Sequence, residues 1–195
     1  MTGTHADALI SRRVRRLETL LEERGIVAGA GLDEALDAFL SSASPANGAR
    51  VTARAWTDPA FRDRLLADGT AAVAELGLTA GGVQPQRLRV VENTEHTHNV
   101  IVCTLCSCYP IRLLGPSPSW YKSEAYRSRV VREPRAVLEE FGLRLPPGTE
   151  ITVWDSTSET RYMVLPRRPE NTESLTEAEL AALVSRNALI GTAAI

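Results

Sequence analysis

The residues best able to do chemistry are the three cysteines, which all lie in the segment 103–108, with the sequence CTLCSC. Three thiols this close together cannot form the well-separated pairs of a disulfide framework. Clustered thiols instead favour metal binding or redox chemistry. We call segment 103–108 the claw and expect it to be the functional site.

The second half of the claw could hold one metal ion through four atoms. The four atoms are the thiolates of Cys106 and Cys108 and the main-chain nitrogens of Ser107 and Cys108. With one metal ion they would close one six-membered and two five-membered chelate rings, which fit covalent geometry with little strain. Cys103 could add an axial thiolate and leave the sixth position open. Because a backbone amide ionises only beside a metal of high charge density, trivalent cobalt or iron fits better than Zn²⁺. Thiolates beside such a metal are candidates for oxidation to sulfinate and sulfenate.

Spacing alone leaves two other interpretations open. Cys103 and Cys106 form a Cys-x-x-Cys pair, which is typical of redox dithiols. His96 or His98 could combine with the cysteines in a structural zinc site, which would make the protein a non-catalytic zinc-binding domain.

Composition excludes some classes of protein. Among 195 residues, 44% are hydrophobic and the formal net charge is −2, with a pI of about 6.0. This balance predicts a folded core and argues against a nucleic-acid partner. No apolar run approaches the roughly 20 residues of a membrane span, and the N-terminus lacks the apolar region of a signal peptide. We therefore expect a cytoplasmic protein with no membrane partner.

The first third of the chain has helical periodicity. Apolar residues recur at helical spacing over 8–24 and 32–40, and small residues over 41–48 indicate a loop. Asp58 and Pro59 predict the start of a helix that runs to about residue 76, with Gly69 as a break. We interpret residues 1–48 as an N-terminal helical arm and 49–195 as the catalytic domain.

The rest of the chain mixes strands and helices, so the fold class is α+β. Strands are expected at 87–92, 99–103, 150–155 and 160–165, where Val, Leu and Ile are frequent. Helices are expected at 121–131, 134–141 and 176–185. The last of these begins with a capping box formed by Thr176 and Glu179.

Several segments of the chain, taken together, resemble a known protein family. Segment 99–110 (NVIVCTLCSCYP) resembles the metal-binding segment of nitrile hydratase α subunits, and so do the shorter segments LG at 114–115, WYKS at 120–123, YRSRVVREP at 126–134, WDS at 154–156, RYMVLP at 161–166 and IGT at 190–192. The match covers roughly residues 85–195. It implies that the helical arm is followed by a layered α/β metal-binding domain of the nitrile hydratase α-subunit type. The metal subunit of thiocyanate hydrolase is related and is a close alternative.

The resemblance implies a role for each residue of the claw. Cys103 would be the axial thiolate, Cys106 the sulfinate and Cys108 the sulfenate, with the nitrogens of Ser107 and Cys108 as amidate ligands. Cys106, Ser107 and Cys108 would then form the catalytic group. Thr104 resembles the cobalt-type form of the family, so Co(III) is expected and Fe(III) is the alternative.

Residues outside the claw also match positions of the family. Asp155, Glu159 and Arg161 match polar positions around the metal, and Gln84 lies where some relatives have a pocket glutamine.

The substrate pocket would include three residues that follow the claw, Tyr109, Ile111 and Arg112. Tyr109 resembles the residue of cobalt-type members. Ile111 stands where relatives usually have Trp or Arg, which suggests a pocket reshaped for a bulky aromatic or heterocyclic nitrile. Arg112 could instead face the pocket and favour an anion such as thiocyanate.

The implied reaction is hydration of a nitrile to its amide. Lewis-acid polarisation would make the nitrile carbon electrophilic, and the attacking oxygen would come from the Cys108 sulfenate or an activated water. The expected partners are a small nitrile, β-type subunits that supply arginines to the oxidised cysteines, and a metal-insertion activator protein. Residues 8–40 would embrace the β-type partner.

Overall fold

The structure is a computed structural model that describes residues 3–79, 86–106 and 108–195. Its contacts divide the chain into two units, Met1–Ser42 and Ala43–Ile195. The division into an arm of residues 1–48 and a catalytic domain of residues 49–195 stays a prediction.

Two helices make up the described part of the first unit, α1 (Gly3–Glu23) and α2 (Gly29–Ser42). Both were predicted, and both are longer than the apolar pattern indicated. They expose a series of large apolar side chains: Leu9, Ile10, Val14, Leu17, Leu20, Leu36 and Leu40.

Three helices open the second unit: α3 (Pro45–Thr57), α4 (Pro59–Ala67) and α5 (Gly69–Glu75). The predicted loop over 41–48 is wrong in its second half, because the Ser44 hydroxyl accepts a hydrogen bond from the Ala46 amide and Pro45 suits the first turn. The helix predicted over 58–76 consists of two helices, and the predicted break at Gly69 is confirmed. Asp58 caps the first and Asp68 caps the second, so the chain restarts at Gly69.

In the described part of the chain, four strands form two parallel pairs. The first pair joins β1 (Arg87–Glu92) to β4 (Thr160–Leu165), and the second joins β2 (Thr97–Val102) to β3 (Glu150–Asp155). Three of the four were predicted with these bounds, whereas β2 begins and ends earlier than expected. Cys103 therefore follows β2 and is not part of it. Nearly every residue of β2 is buried, as is usual for strands of parallel sheets.

Short helices connect the strands and close the chain: α6 (Ile111–Leu114), a 3₁₀ turn (Ser119–Lys122), α7 (Glu124–Val130), α8 (Pro134–Glu140), α9 (Glu177–Leu183) and α10 (Arg186–Ile190). The single helix predicted over 121–131 is wrong, because Ser123 is extended and caps α7 at the Tyr126 amide. The capping box of Thr176 and Glu179 is confirmed. Helices α6 and α10 were not predicted.

The core lies between the strands and the helices packed on them. An aromatic group centred on the fully buried Tyr121 packs under the claw, and its other members are Tyr109, Trp120, Tyr126 and Phe141. Among the described residues, no helix combines the length and apolar character that a membrane crossing requires.

Candidate metal centre

The claw begins where two parallel strands end together. Val102, the last residue of β2, is in register with Asp155, the last residue of β3, and the Ser156 amide donates to the Val102 carbonyl at 2.7 Å. Carboxyl ends of parallel strands meet at one edge of a sheet, which is a common place for functional groups. The chain therefore delivers Cys103 and Asp155 to the same place.

The three cysteine sulfurs converge on one point. The Sγ atoms of Cys103 and Cys106 are 3.3 Å apart, those of Cys106 and Cys108 are 3.2 Å apart, and all three lie within 4.8 Å of one another. Cys103 is buried, Cys108 is half-buried and Cys106 is exposed. Three convergent thiols that are open on one side are a donor set that fits a thiophilic transition metal with a free position.

The alternative zinc site with histidine is not supported. In the part of the chain that the structure describes, the group that could hold a metal contains the three cysteines and no histidine. The buried His98 ring is bonded to the Asn93 side chain at 3.2 Å and to the Gly191 carbonyl at 2.7 Å. Burial lowers the pKa of His98, so it is a neutral structural residue. His96 is exposed in the turn before β2.

Hydrogen bonds from three elements hold the claw. Asp155 accepts from the Thr104 amide at 2.9 Å and from the Thr104 hydroxyl at 2.6 Å. Arg127 of α7 donates to the Thr104 carbonyl at 3.2 Å. The Tyr121 hydroxyl donates to the Cys108 carbonyl at 3.0 Å. These hydrogen bonds fix the loop that carries the sulfurs near both of its ends.

The surroundings of Cys108 disfavour its thiolate form. Burial and the hydrogen bond with Cys106 raise the pKa of Cys108 to about 12, although the positive charge of Arg161 opposes this shift. Cysteines that react as free nucleophiles or redox groups have lowered pKa values. The raised pKa therefore argues against a redox role for this thiol, whereas a metal ligand loses its proton to the metal when the metal binds.

A cavity of about 360 Å³ opens beside the claw. Its described lining contains five residues predicted for the site: Cys106, Cys108, Tyr109, Ile111 and Arg161. It also contains three residues that sequence reasoning missed: Gln86, Ser117 and Lys122. Pockets for small molecules have volumes of about 300–1,000 Å³, so this one suits a compact organic substrate.

The turn between β1 and β2 explains why distant residues meet in this cavity. Only four residues join the two strands, and the Thr94 amide donates to the Thr97 carbonyl, so the chain reverses direction there. The start of β1 therefore lies at the same end as the finish of β2. Gln86 precedes β1, and Arg161 lies near the start of β4, which pairs with β1. A chain reversal predicted at residues 93–96 could have placed Gln86 and Arg161 near the cysteines.

Other predicted site residues lie elsewhere or outside the described residues. Glu159 is exposed and lines a different cavity, and its carbonyl accepts from the Arg87 amide. Arg112 is not part of the described lining, and its carbonyl accepts from the Asn47 side chain at 2.8 Å. Gln84 and Ser107 are outside the described residues.

The fold and the site together define a class of protein. Three thiols converge after the carboxyl end of a buried parallel strand, and two of them, Cys106 and Cys108, border a cavity of small-molecule size. This arrangement is typical of enzyme subunits that hold a metal through thiolates.

The comparisons with known proteins narrow this class. The family model for the nitrile hydratase alpha chain matches residues 8–193. The cobalt-containing nitrile hydratase subunit alpha of Pseudonocardia thermophila is 52% identical over 93% of this chain and 89% of its own length. The thiocyanate hydrolase subunit gamma of Thiobacillus thioparus is 43% identical over 80% of this chain and 68% of its own length. The chain belongs to the nitrile hydratase alpha-chain family, a family of enzyme subunits.

Solved structures agree with this assignment. A double mutant of the Fe-type nitrile hydratase from Comamonas testosteroni superposes with a TM-score of 0.88 at 44% identity, covering 96% of this chain and 90% of that one. A recombinant thiocyanate hydrolase with partially modified cobalt centres superposes with a TM-score of 0.87 at 39% identity, covering 95% and 88%. The α+β fold and the family predicted from sequence are confirmed.

Proposed function

We propose that this chain is the metal-bearing α subunit of a nitrile hydratase, which adds water to a nitrile to form the amide at a low-spin Co(III) centre. The observation that carries the proposal is the convergence of three cysteine sulfurs within 4.8 Å of one another beside a cavity of about 360 Å³.

The claw supplies the ligands. The thiolate of Cys103, which is buried directly after β2, would hold the metal together with the sulfurs of Cys106 and Cys108 and the main-chain nitrogens of Ser107 and Cys108. We assign Cys106 as the sulfinate and Cys108 as the sulfenate. Both border the cavity, which is consistent with access of oxygen to them and not to Cys103.

Each part of the site has a chemical task. When bound, the trivalent ion would supply Lewis acidity towards the nitrile. One water molecule would supply both the oxygen that ends on the nitrile carbon and the two protons that end on the nitrile nitrogen. If the Cys108 sulfenate attacks first, the oxygen of that water would replace the one that the sulfenate gives up. Arg161 is buried in the same lining, so its charge stabilises anionic oxygen on the cysteine sulfurs. Asp155 orients the claw through Thr104.

Cobalt is favoured over iron on two grounds. Thr104 and Tyr109 resemble the cobalt-type form, and three relatives that are 48–52% identical are named as cobalt-containing subunits. Iron is the alternative, since an Fe-type enzyme is also a structural neighbour.

Ile111 is the basis for a proposal about substrate size. It is half-buried in the cavity lining, where a Trp side chain would occupy more of the space. We therefore favour a bulky aromatic or heterocyclic nitrile. Steady-state comparison of acrylonitrile with a heteroaryl nitrile tests this, and a strong preference for acrylonitrile would reject it.

The exposed surface supports a partner subunit. Leu105 at the tip of the claw is 90% exposed, and α1 and α2 expose an apolar series. A β-type subunit would cover these groups, supply further cations to the oxidised cysteines and leave the metal accessible to a metal-insertion activator protein. Replacing Leu17 and Leu20 with Asp should abolish co-purification with that subunit, whereas replacing the exposed Arg12 and Arg16 with Gln should not.

Metal analysis and intact mass of the chain from cobalt-fed cells test the proposal together. We expect one cobalt per chain, added oxygen on Cys106 and Cys108 but not on Cys103, and conversion of a nitrile to its amide. Stoichiometric zinc in a tetrahedral site with unmodified cysteines would overturn it and favour a non-catalytic zinc-binding domain.

Thiocyanate hydrolysis is a second candidate, because the described cavity lining contains two cations, Lys122 and Arg161, and no carboxylate. An anionic substrate such as thiocyanate suits that lining. Formation of carbonyl sulfide and ammonia from thiocyanate, without amide formation from neutral nitriles, would establish this activity in place of nitrile hydration.

A further inference from the structure

Lys122 is one of the two cations in the described lining of the cavity beside the claw. It is the only lysine in the sequence and ends the 3₁₀ turn that borders the cavity. Its side chain is exposed, and within residues 3–79, 86–106 and 108–195 its ammonium has no ion pair or hydrogen bond. By contrast, Arg62, Arg64 and Arg129 each pair with a glutamate.

The described lining of the cavity offers Lys122 no carboxylate. It contains neutral side chains, the two cysteines proposed to carry anionic oxygen, and one further cation, Arg161, whose positive charge already acts on Cys108. Arg161 is 7% exposed and donates to the Thr157 carbonyl, so it belongs to the buried side of the site. Lys122 is therefore the solvent-facing charge at the mouth of the cavity.

An unpaired cation at the mouth attracts ligands of opposite charge. It raises the local concentration of anions and favours a bound anion over a neutral molecule of the same shape. A lysine ammonium is a point charge without the fork geometry of arginine, so it accepts an anionic oxygen in several orientations. Ile111 and Tyr109 form an apolar part of the same lining. This part suits an aromatic ring that carries a nitrile at one end and an anionic group at the other.

We propose that Lys122 is a specificity-determining residue that selects nitriles carrying an anionic oxygen substituent, such as a carboxylate, at the end of the molecule remote from the nitrile. The proposal rests on the proposed function and adds that the preferred nitrile is negatively charged.

Paired substrates test the proposal on the metal-loaded enzyme, with the subunits that purify with it. The cyanobenzoates, meta and para, are compared with the corresponding cyanobenzamides, which have similar shape and no charge. In the natural protein we expect kcat/KM to be higher for the cyanobenzoate than for the matching cyanobenzamide, in the meta pair, the para pair or both. Lys122→Met should lower the ratio of the two kcat/KM values by about two- to fivefold, the range for an exposed charge pair. Raising the salt concentration should lower the ratio in the natural protein and not in the variant.

Two further variants separate charge from shape. Lys122→Arg keeps the charge and should retain most of the preference. Arg144→Met removes an exposed cation that lines none of the described cavities, and it should leave the ratio and the activity unchanged. Because Arg144→Met changes the net charge by the same amount as Lys122→Met, it controls for the overall field of the protein.

A binding measurement makes the test independent of turnover. Benzoate has no nitrile, so calorimetry of benzoate and benzamide binding reports the charge preference alone. We expect benzoate to bind more weakly to Lys122→Met than to the natural protein. If no nitrile is hydrated, the proposed function is wrong, but benzoate binding still tests whether Lys122 binds an anion. If the natural protein prefers the amides in both isomers, or if Lys122→Met leaves the ratio and benzoate binding unchanged, the role of Lys122 is overturned.

Discussion

The carboxylate of Asp155 accepts two hydrogen bonds from Thr104, one from the amide at 2.9 Å and one from the hydroxyl at 2.6 Å. The two residues are far apart in sequence and meet because Val102 and Asp155 are partners in the parallel pair of β2 and β3. A residue just after β2 is therefore held by the last residue of β3. This contact ties the position of the cysteines to the strand register.

The first prediction concerns this contact. Asp155→Asn removes the negative charge, so the Thr104 amide loses a charge-assisted hydrogen bond and the bond with the Thr104 hydroxyl has to reverse its direction. We expect the free energy of unfolding of the metal-free chain to fall by about 1 kcal/mol and the fraction of chains carrying metal to fall as well. Urea unfolding and metal analysis measure the two effects.

A double-mutant cycle with Thr104→Val shows whether the effect passes through this contact. The two substitutions should be less than additive. The exposed Glu173→Gln serves as the charge control and should change neither quantity. Full additivity of Asp155→Asn and Thr104→Val would contradict the prediction.

The second prediction concerns cavity size. Ile111→Trp should lower kcat/KM for a bulky heteroaryl nitrile by about tenfold or more relative to acrylonitrile, because the indole takes up space in a cavity of about 360 Å³. Ile111→Leu, which keeps the volume, should leave the ratio nearly unchanged. Equal losses for both nitriles in Ile111→Trp would mean that Ile111 does not control substrate size.

The third prediction is a pH dependence of stability from His98. Its Nε2 donates to the Gly191 carbonyl, so its Nδ1 accepts from the Asn93 amide, and a second proton would face a donor. Burial lowers the pKa of His98 in the fold below its ordinary value of 6.5. The unfolded chain therefore binds a proton first as the pH falls, so stability is full above the unfolded pKa and is lost as the pH falls from about 7 towards the folded pKa.

Urea unfolding between pH 7 and pH 5 measures this effect. His98→Gln should be less stable at pH 7 but should show a flatter pH dependence than the natural protein. The exposed His96→Gln should keep the natural slope. A slope that survives in His98→Gln would assign the effect to another group.

The fourth prediction concerns Gly191, which ends α10 with φ of 91°. A Cβ there would overlap the Asn99 carbonyl oxygen and lie 2.8 Å from the Val100 Cα. Gly191→Ala should therefore lower the free energy of unfolding by about 2–4 kcal/mol, from backbone strain and from overlap with β2. Gly142→Ala is the matched control, since Gly142 has φ of 83° and no atom within 4 Å of an added Cβ. It should cost about 1 kcal/mol, and equal losses at both positions would reject the packing argument.

Local sequence was enough to predict the elements that depend on neighbours in the chain. The strands at 87–92, 150–155 and 160–165 and the capping box at Thr176 follow from β-branched runs and hydrogen bonds that span a few residues. The cysteine donor set was also visible, because all three thiols lie in one short segment. The helix from Pro45 was missed, since its small residues are typical of a loop and become helical with a buried alanine face.

The surroundings of the claw were decided only by tertiary structure. Gln86, Ser117 and Lys122 carry no local signal, and they join Cys106 and Cys108 because the chain reverses between β1 and β2 and returns after α6. Glu159 and Arg161 are two residues apart, yet only Arg161 lines the cavity with the cysteines. The donor atoms of the claw are set by covalent connectivity, whereas the cations and the cavity beside them depend on strand pairing between distant segments. That pairing determines which side chains meet, and short-range sequence patterns do not encode it.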